Sequence, residues 1–143
     1  MKFVKQQPSS KAPADWFTGD MWWDVIHAGQ EPSRMRVNMV RFSPGARTNW
    51  HSHVLGQVLH IVSGVALIGT QNGTIFEARP GETVTCPPGE EHWHGCAAPD
   101  RFMEHLALWE AKGDGSAETT WAEPVTDEQY NGPRTRDLPH ATI

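Results

Sequence analysis

The chain predicts an all-β domain whose strands close into a double-sheet jelly roll or small barrel. Thirteen Gly and eleven Pro fall mostly between short runs rich in Val, Ile, Leu, Phe and Trp, which is the punctuation of many short strands. Helical periodicity is absent from the middle of the sequence. At 143 residues the chain has the length of one domain, enough to bury a core without disulfides or structural metals.

Strands are predicted over 36–42, 48–53, 57–62, 65–70, 74–78, 83–86, 92–96 and 102–110. Ser43-Pro44-Gly45 closes the first, Gln71-Asn72-Gly73 makes the hairpin between 65–70 and 74–78, and Arg79-Pro80-Gly81 precedes 83–86. Eight short strands in this span suit architectures that close or stack their edges, so the barrel is expected over 35–111. Before it, residues 1–34 form an arm whose Trp16, Phe17, Trp22 and Trp23 are too aromatic for a free leader. They are expected to add strands to an edge of the same subunit or of a partner. After it, residues 112–143 form an extension. There Lys112 to Ala117 reads as a loop, Asp127 to Tyr130 as a short helix capped by Thr126, and Asn131 to Ile143 as a mobile tail.

A formal net charge of −5, with twelve Lys and Arg spread along the chain, argues against nucleic-acid and anionic-membrane partners and favours small molecules. No stretch reads as a signal peptide or a membrane anchor, so the cytoplasm is the expected location. Cys86 and Cys96 are not spaced as C-x-x-C and read as buried free thiols.

The chemistry concentrates in HSHVLGQ and PPGEEHWHG. Side chains alternate across a strand, so His51, His53 and Gln57, all of one parity, converge if the chain holds one register through the intervening turn. His92 joins them from the second motif and shares a face with His94, with Trp93 opposite. Three neutral imidazoles and a carboxamide hold a +2 ion without cancelling its charge, which leaves a Lewis acid with room for an anionic ligand. Gln57 is either a ligand or a hydrogen-bond partner of a metal-bound water. In the last strand Met103, His105, Ala107 and Trp109 share the side expected to line a cavity. His27, His60 and His140 lack such company and read as structural or solvent-facing.

These motifs resemble the cupin superfamily closely. Its first motif matches Gly45, His51, His53, Gln57 and Gly64, with Gln57 where Glu is usual; its second matches Gly81, Pro87, Gly89 and His92, with Cys96 where Asn is usual. Together with PADWFTG, FSPGARTNWHSHVLGQ and VTDEQY, the chain resembles the small bacterial manganese-dependent cupins that include (R)-selective hydroxynitrile lyases, in which the fourth ligand is also Gln. The resemblance implies a single-domain cupin jelly-roll barrel and one divalent metal per subunit. Mn(II) is the expected ion, with Fe(II), Ni(II) or Zn(II) as others the donor set takes. It further implies cleavage or formation of cyanohydrins such as mandelonitrile, with His105 as base and His94 as its partner or alternate. Thr48, Asn38, Val40 and Trp109 would line the substrate pocket, Asn38 and Trp109 being bulkier than such positions lead one to expect. A homodimer or homotetramer is expected. Rival readings are an Fe(II) dioxygenase, an isomerase of a sugar-derived acid using Arg47 or Arg101, and a non-catalytic metal-dependent binding module.

Overall fold

The structure, a computed structural model, describes residues 1–137, 139 and 140. Strands of the N-terminal half are β1 (Ser10–Lys11), β2 (Phe17–Thr18), β3 (Met21–His27), β4 (Met35–Phe42), β5 (Arg47–Thr48), β6 (His51–His53) and β7 (Gln57–Ser63). Those of the C-terminal half are β8 (Ala66–Thr70), β9 (Ile75–Ala78), β10 (Thr83–Cys86), β11 (His92–Cys96), β12 (Met103–Glu110), β13 (Thr119–Trp121) and β14 (Arg134–Thr135), with helix α1 (Asp127–Tyr130) between the last two. They form two sheets. The first has the order β1-β3-β4-β12-β7-β10. The second runs β13-β6-β11-β8-β9-β14, with β5 on β11 and β2 on β5. Pairing is antiparallel except between β14 and β9, and the two sheets enclose one interior in the jelly-roll manner.

Alternation sets that interior. Phe42, Leu59, Ile61, Ala66, Ile68 and Met103 are fully or almost fully buried between the sheets. Leu67, Ile75 and Trp93 point the other way, out of the second sheet, where Val125 and Tyr130 of the C-terminal extension cover them. The extension is held there by a capping box at Thr126 and Gln129 and by the Tyr130 hydroxyl, which donates to the Cys96 carbonyl at 2.5 Å.

Two expectations need correction, and one of two alternatives is taken. The strand over 48–53 is broken at Asn49 and Trp50, because their backbone N–H groups donate instead to the carbonyls of Trp16 and Glu123. The aromatic arm stays with its own barrel: β1 and β3 extend the first sheet beyond β4, and β2 joins the second through β5. The tail is ordered further than its polarity suggests. Arg134 and Thr135 add to the free edge of β9, and the Arg136 guanidinium forks onto Glu82 at 2.8 and 2.9 Å. The remaining tail positions 138 and 141–143 lie outside the described residues. Among the described residues no helix is long and apolar enough to cross a membrane.

Gly69 in β8 shows how tightly this is packed. A Cβ there would stand 2.0 Å from Trp93 Nε1, so only a bare backbone admits the buried indole of the neighbouring strand. Gly69→Ala is expected to cost about 1–3 kcal/mol by overpacking, read as a lowered thermal unfolding midpoint; an unchanged midpoint would contradict this packing.

Candidate metal centre

His51 and His53 occupy alternate positions of β6 and so face the same way, and His92 opens β11 directly opposite His51. Such cross-strand neighbours have Cβ atoms about 5 Å apart, and the rings of His51 and His92 have centroids 4.5 Å apart. Gln57 arrives by a different route from the one its parity implied. The turn Val54 to Gly56, with Gly56 at φ +83° and placed where a Cβ would stand 2.7 Å from the Cys86 carbonyl oxygen, carries the chain into the opposite sheet. Gln57 therefore meets the histidines across the interior, with Oε1 3.2 Å from His92 Nε2.

The hydrogen bonds around the rings fix what that centre offers. Nδ1 of His51 lies 3.0 Å from the Asn49 carbonyl, and Nδ1 of His92 lies 3.0 Å from the Glu90 carbonyl. A carbonyl only accepts, so both Nδ1 atoms carry protons and both neutral rings turn Nε2 lone pairs inward. Nδ1 of His53 meets the Thr119 hydroxyl at 3.3 Å, while its buried Nε2 has no partner among the described residues. One ligand nitrogen from each of the three rings lies within 4.8 Å of the others. Nε2 of His92 and Oε1 of Gln57 are then two acceptors facing each other, an arrangement a cation between them satisfies. The residues fit a divalent metal on these grounds, with outer hydrogen bonds that orient each ligand.

Electrostatics point the same way. Burial holds His51 well below the ordinary histidine range, with repulsion from His92 adding to it, and lowers His92. Burial, then His92, takes His53 down to about 4. All three are neutral near pH 7, the form that binds metal. Behind them, His94 Nδ1 and His105 Nε2 share a hydrogen bond of 3.0 Å. Burial, followed by His105, holds His94 well below its ordinary value, and burial takes His105 to about 4.

A cavity of about 310 Å³ opens onto this centre. Asn38, Val40, Thr48 and Trp109 all line it, as do His51, His53, Gln57 and His94. His105 does not: it is sealed at 0% exposure behind His94. Of the expected base His105 and its partner or alternate His94, it is His94 that lines the cavity, and among the described residues its buried Nε2 has no protein partner. Thr48 Oγ1 accepts the His94 amide N–H at 3.1 Å, so its own proton remains to donate.

The other walls escaped the sequence reading. Trp16 and Trp121 stack at 5.1 Å, and Trp121 lies 4.8 Å from the His51 ring; Phe17, Met21 and Trp23 complete the apolar side. Met21 and Trp23 share a parity that marks an inward face of β3, but Trp121 stands alone in a polar stretch and gave no signal. Glu118, also unforeseen, accepts the Trp109 indole N–H at 2.7 Å and pairs with Arg36 at 2.9 Å, fixing Trp109 at the cavity mouth. Arg47 is spent elsewhere, on the Val125 carbonyl and Asp127, and among the described residues none that lines the cavity carries a formal charge.

The lowered histidines make stability depend on pH. For His53 and His105 the value falls from 6.5 to about 4 on folding. Between those limits the unfolded chain takes up protons that the folded chain refuses, so stability is full above pH 6.5 and is lost as pH falls toward 4. Each contributes a slope of about 1.4 kcal/mol per pH unit. Denaturant titrations of the metal-free chain at a series of pH values should show this loss, and a flat profile would contradict the burial of neutral rings.

Residues 38–105 match the family model described as a cupin domain. The chain is 46% identical over 130 residues to an (R)-mandelonitrile lyase of Granulicella tundricola, covering 91% of this chain and 97% of that one. A cupin-like protein of Thermotoga maritima superposes with a TM-score of 0.77 at 32% identity, over 91% of this chain and 95% of the other. The polyketide cyclase RemF of Streptomyces resistomycificus shares the fold at a TM-score of 0.67 and 17% identity, over 91% and 90% of the two chains. With two histidine motifs meeting inside a jelly roll, the chain belongs to the cupin family and resembles (R)-mandelonitrile lyase over nearly its whole length.

Proposed function

We propose that the chain is a metal-dependent carbon–carbon lyase of the hydroxynitrile type, cleaving or forming cyanohydrins such as mandelonitrile. The observation that carries this reading is the 46% identity to an (R)-mandelonitrile lyase across 97% of that protein. An uncharged group of three imidazoles with the Gln57 carboxamide beside it and an aromatic-walled cavity support it. Held by His51, His53, His92 and Gln57, one divalent ion per chain, Mn(II) in this reading, supplies the Lewis acidity that makes a cyanohydrin hydroxyl acidic.

The chain's own groups do the rest. Thr48 donates to the substrate oxygen, and His94 Nε2 takes the hydroxyl proton. The electron pair of the bond between carbinol and nitrile carbons leaves with cyanide, the carbinol carbon becomes the aldehyde, and His94 returns the proton to give hydrogen cyanide. His105 holds His94 in one orientation through their shared hydrogen bond. Trp16, Trp23, Trp109 and Trp121 form apolar walls suited to an aryl group, while Asn38 and Trp109 limit its size. Arg47, committed to Val125 and Asp127, offers nothing to a carboxylate, which disfavours the sugar-acid isomerase. The free buried thiols of Cys86 and Cys96 suit a cytoplasmic setting.

Benzaldehyde release from racemic mandelonitrile, followed without oxygen, tests this. The Mn(II)-loaded chain should consume one enantiomer, the metal-stripped chain and His51→Ala should be inactive, and His94→Ala should lose about 10²–10⁴-fold in kcat/KM. Turnover of another substrate that requires Fe(II) and oxygen would replace the lyase by a dioxygenase. Ligand binding without product would make the chain a binding module.

A further inference from the structure

The inner face of β4 carries a residue out of keeping with its neighbours. Val40 and Phe42 are buried in the core, and Asn38, two positions before Val40, shares their parity and lines the cavity. Asn is unfavourable in a strand, and its carboxamide interrupts an otherwise apolar wall. The other carboxamide and hydroxyl side chains of the lining are all engaged. Gln57 Oε1 meets His92, Thr48 accepts the His94 amide N–H, and the Thr119 hydroxyl meets His53. The Trp109 indole N–H is committed to Glu118. Asn38 is half-buried, and among the described residues its side chain has no hydrogen-bond partner, so it remains free to bond what enters the cavity.

Register places this group. Asn38 stands opposite Ala107 of β12, whose methyl group leaves space in front of the carboxamide. Trp109 is the next inward residue of β12, and Trp23 of β3 stands opposite Val40, so an indole borders Asn38 diagonally on each side. Gln57 lies across β12, opposite Trp109. Two strand spacings across and two residues along put its α-carbon about 12 Å from that of Asn38. A ligand whose oxygen sits beside Gln57 needs only one aromatic ring to bring a substituent to Asn38, because the side chains span the rest.

Chemistry narrows that substituent. A carboxamide both donates and accepts, and so does a hydroxyl. Among the described residues none that lines the cavity carries a formal charge, so a charged substituent would lose its water without gaining a counter-charge. An alkyl substituent would press against the carboxamide and leave it unpaired, a loss of about ten- to a hundredfold in affinity.

We propose that Asn38 is a specificity-determining residue that selects ligands bearing a neutral hydroxyl on the aryl ring; for turnover, the substrate class is hydroxyaryl cyanohydrins and their aldehydes. This rests on the lyase reading of the site.

The test compares kcat/KM for meta- and para-hydroxymandelonitrile with that for the methyl analogues of similar size, in the native chain and in Asn38→Leu. Comparing the two chains cancels the intrinsic reactivity of each substrate and any general loss of folded protein. The hydroxyl-to-methyl ratio should fall about ten- to a hundredfold in the variant for at least one ring position, and Asn38→Ala should repeat the fall if leucine disturbs the wall. Calorimetric titration of the Mn(II)-loaded chains with hydroxybenzyl and methylbenzyl alcohols, which have no nitrile to lose, should show the same change in Kd. Equal ratios in native and variant chains overturn the role of Asn38 even where mandelonitrile is cleaved. If no cyanohydrin is cleaved, the lyase reading fails and calorimetry alone decides: a hydroxyl preference lost in the variant upholds the selection, and its absence from the native chain overturns it.

Discussion

Ring nitrogens of His51, His53 and His92 gathered within 4.8 Å of one another, with the buried Nε2 of His53 unpartnered among the described residues, are a cost that a bound cation would offset. An unsatisfied buried polar atom costs about 1–3 kcal/mol, and here the acceptor oxygen of Gln57 is added to the group. The Asn49 and Glu90 carbonyls make the arrangement firm, because each fixes a ring's tautomer through Nδ1. The antiparallel pairing of β6 with β11 sets those two rings opposite each other.

The same neutrality shapes the cavity. With no carboxylate in the lining, the charge of a bound divalent ion reaches a ligand in full, and apolar walls of Trp and Phe exclude water that would screen it. Carboxylates stay outside. Glu118 is turned away to hold Trp109 and Arg36, so its charge stabilises the wall without entering the chamber. His94 and His105, linked to each other by a hydrogen bond, are buried beside the centre, with the His94 ring 5.0 Å from that of His51.

Much of this was legible in the sequence because it rests on local periodicity. The H-x-H spacing, the parity of His92 and His94, and the turn residues all act over a few positions, and the eight barrel strands follow from them. What was not legible depends on long-range placement. Gln57 reaches the histidines by a path its parity did not imply, since parity cannot report that Gly56 sends the chain to the other sheet. The order of His94 and His105 relative to the cavity depends on which strand lies in front, a property of packing alone. Trp121 reaches the site only because β13 pairs with β6, and Arg134 is ordered only because β9 presents a free edge.

The most direct test of the central claim is a Mn(II) titration of the metal-free chain followed by electron paramagnetic resonance. The account predicts one tight equivalent per chain that disappears in His53→Ala and His92→Ala. Binding that is absent, or that persists unchanged in both variants, would contradict a centre built from these rings.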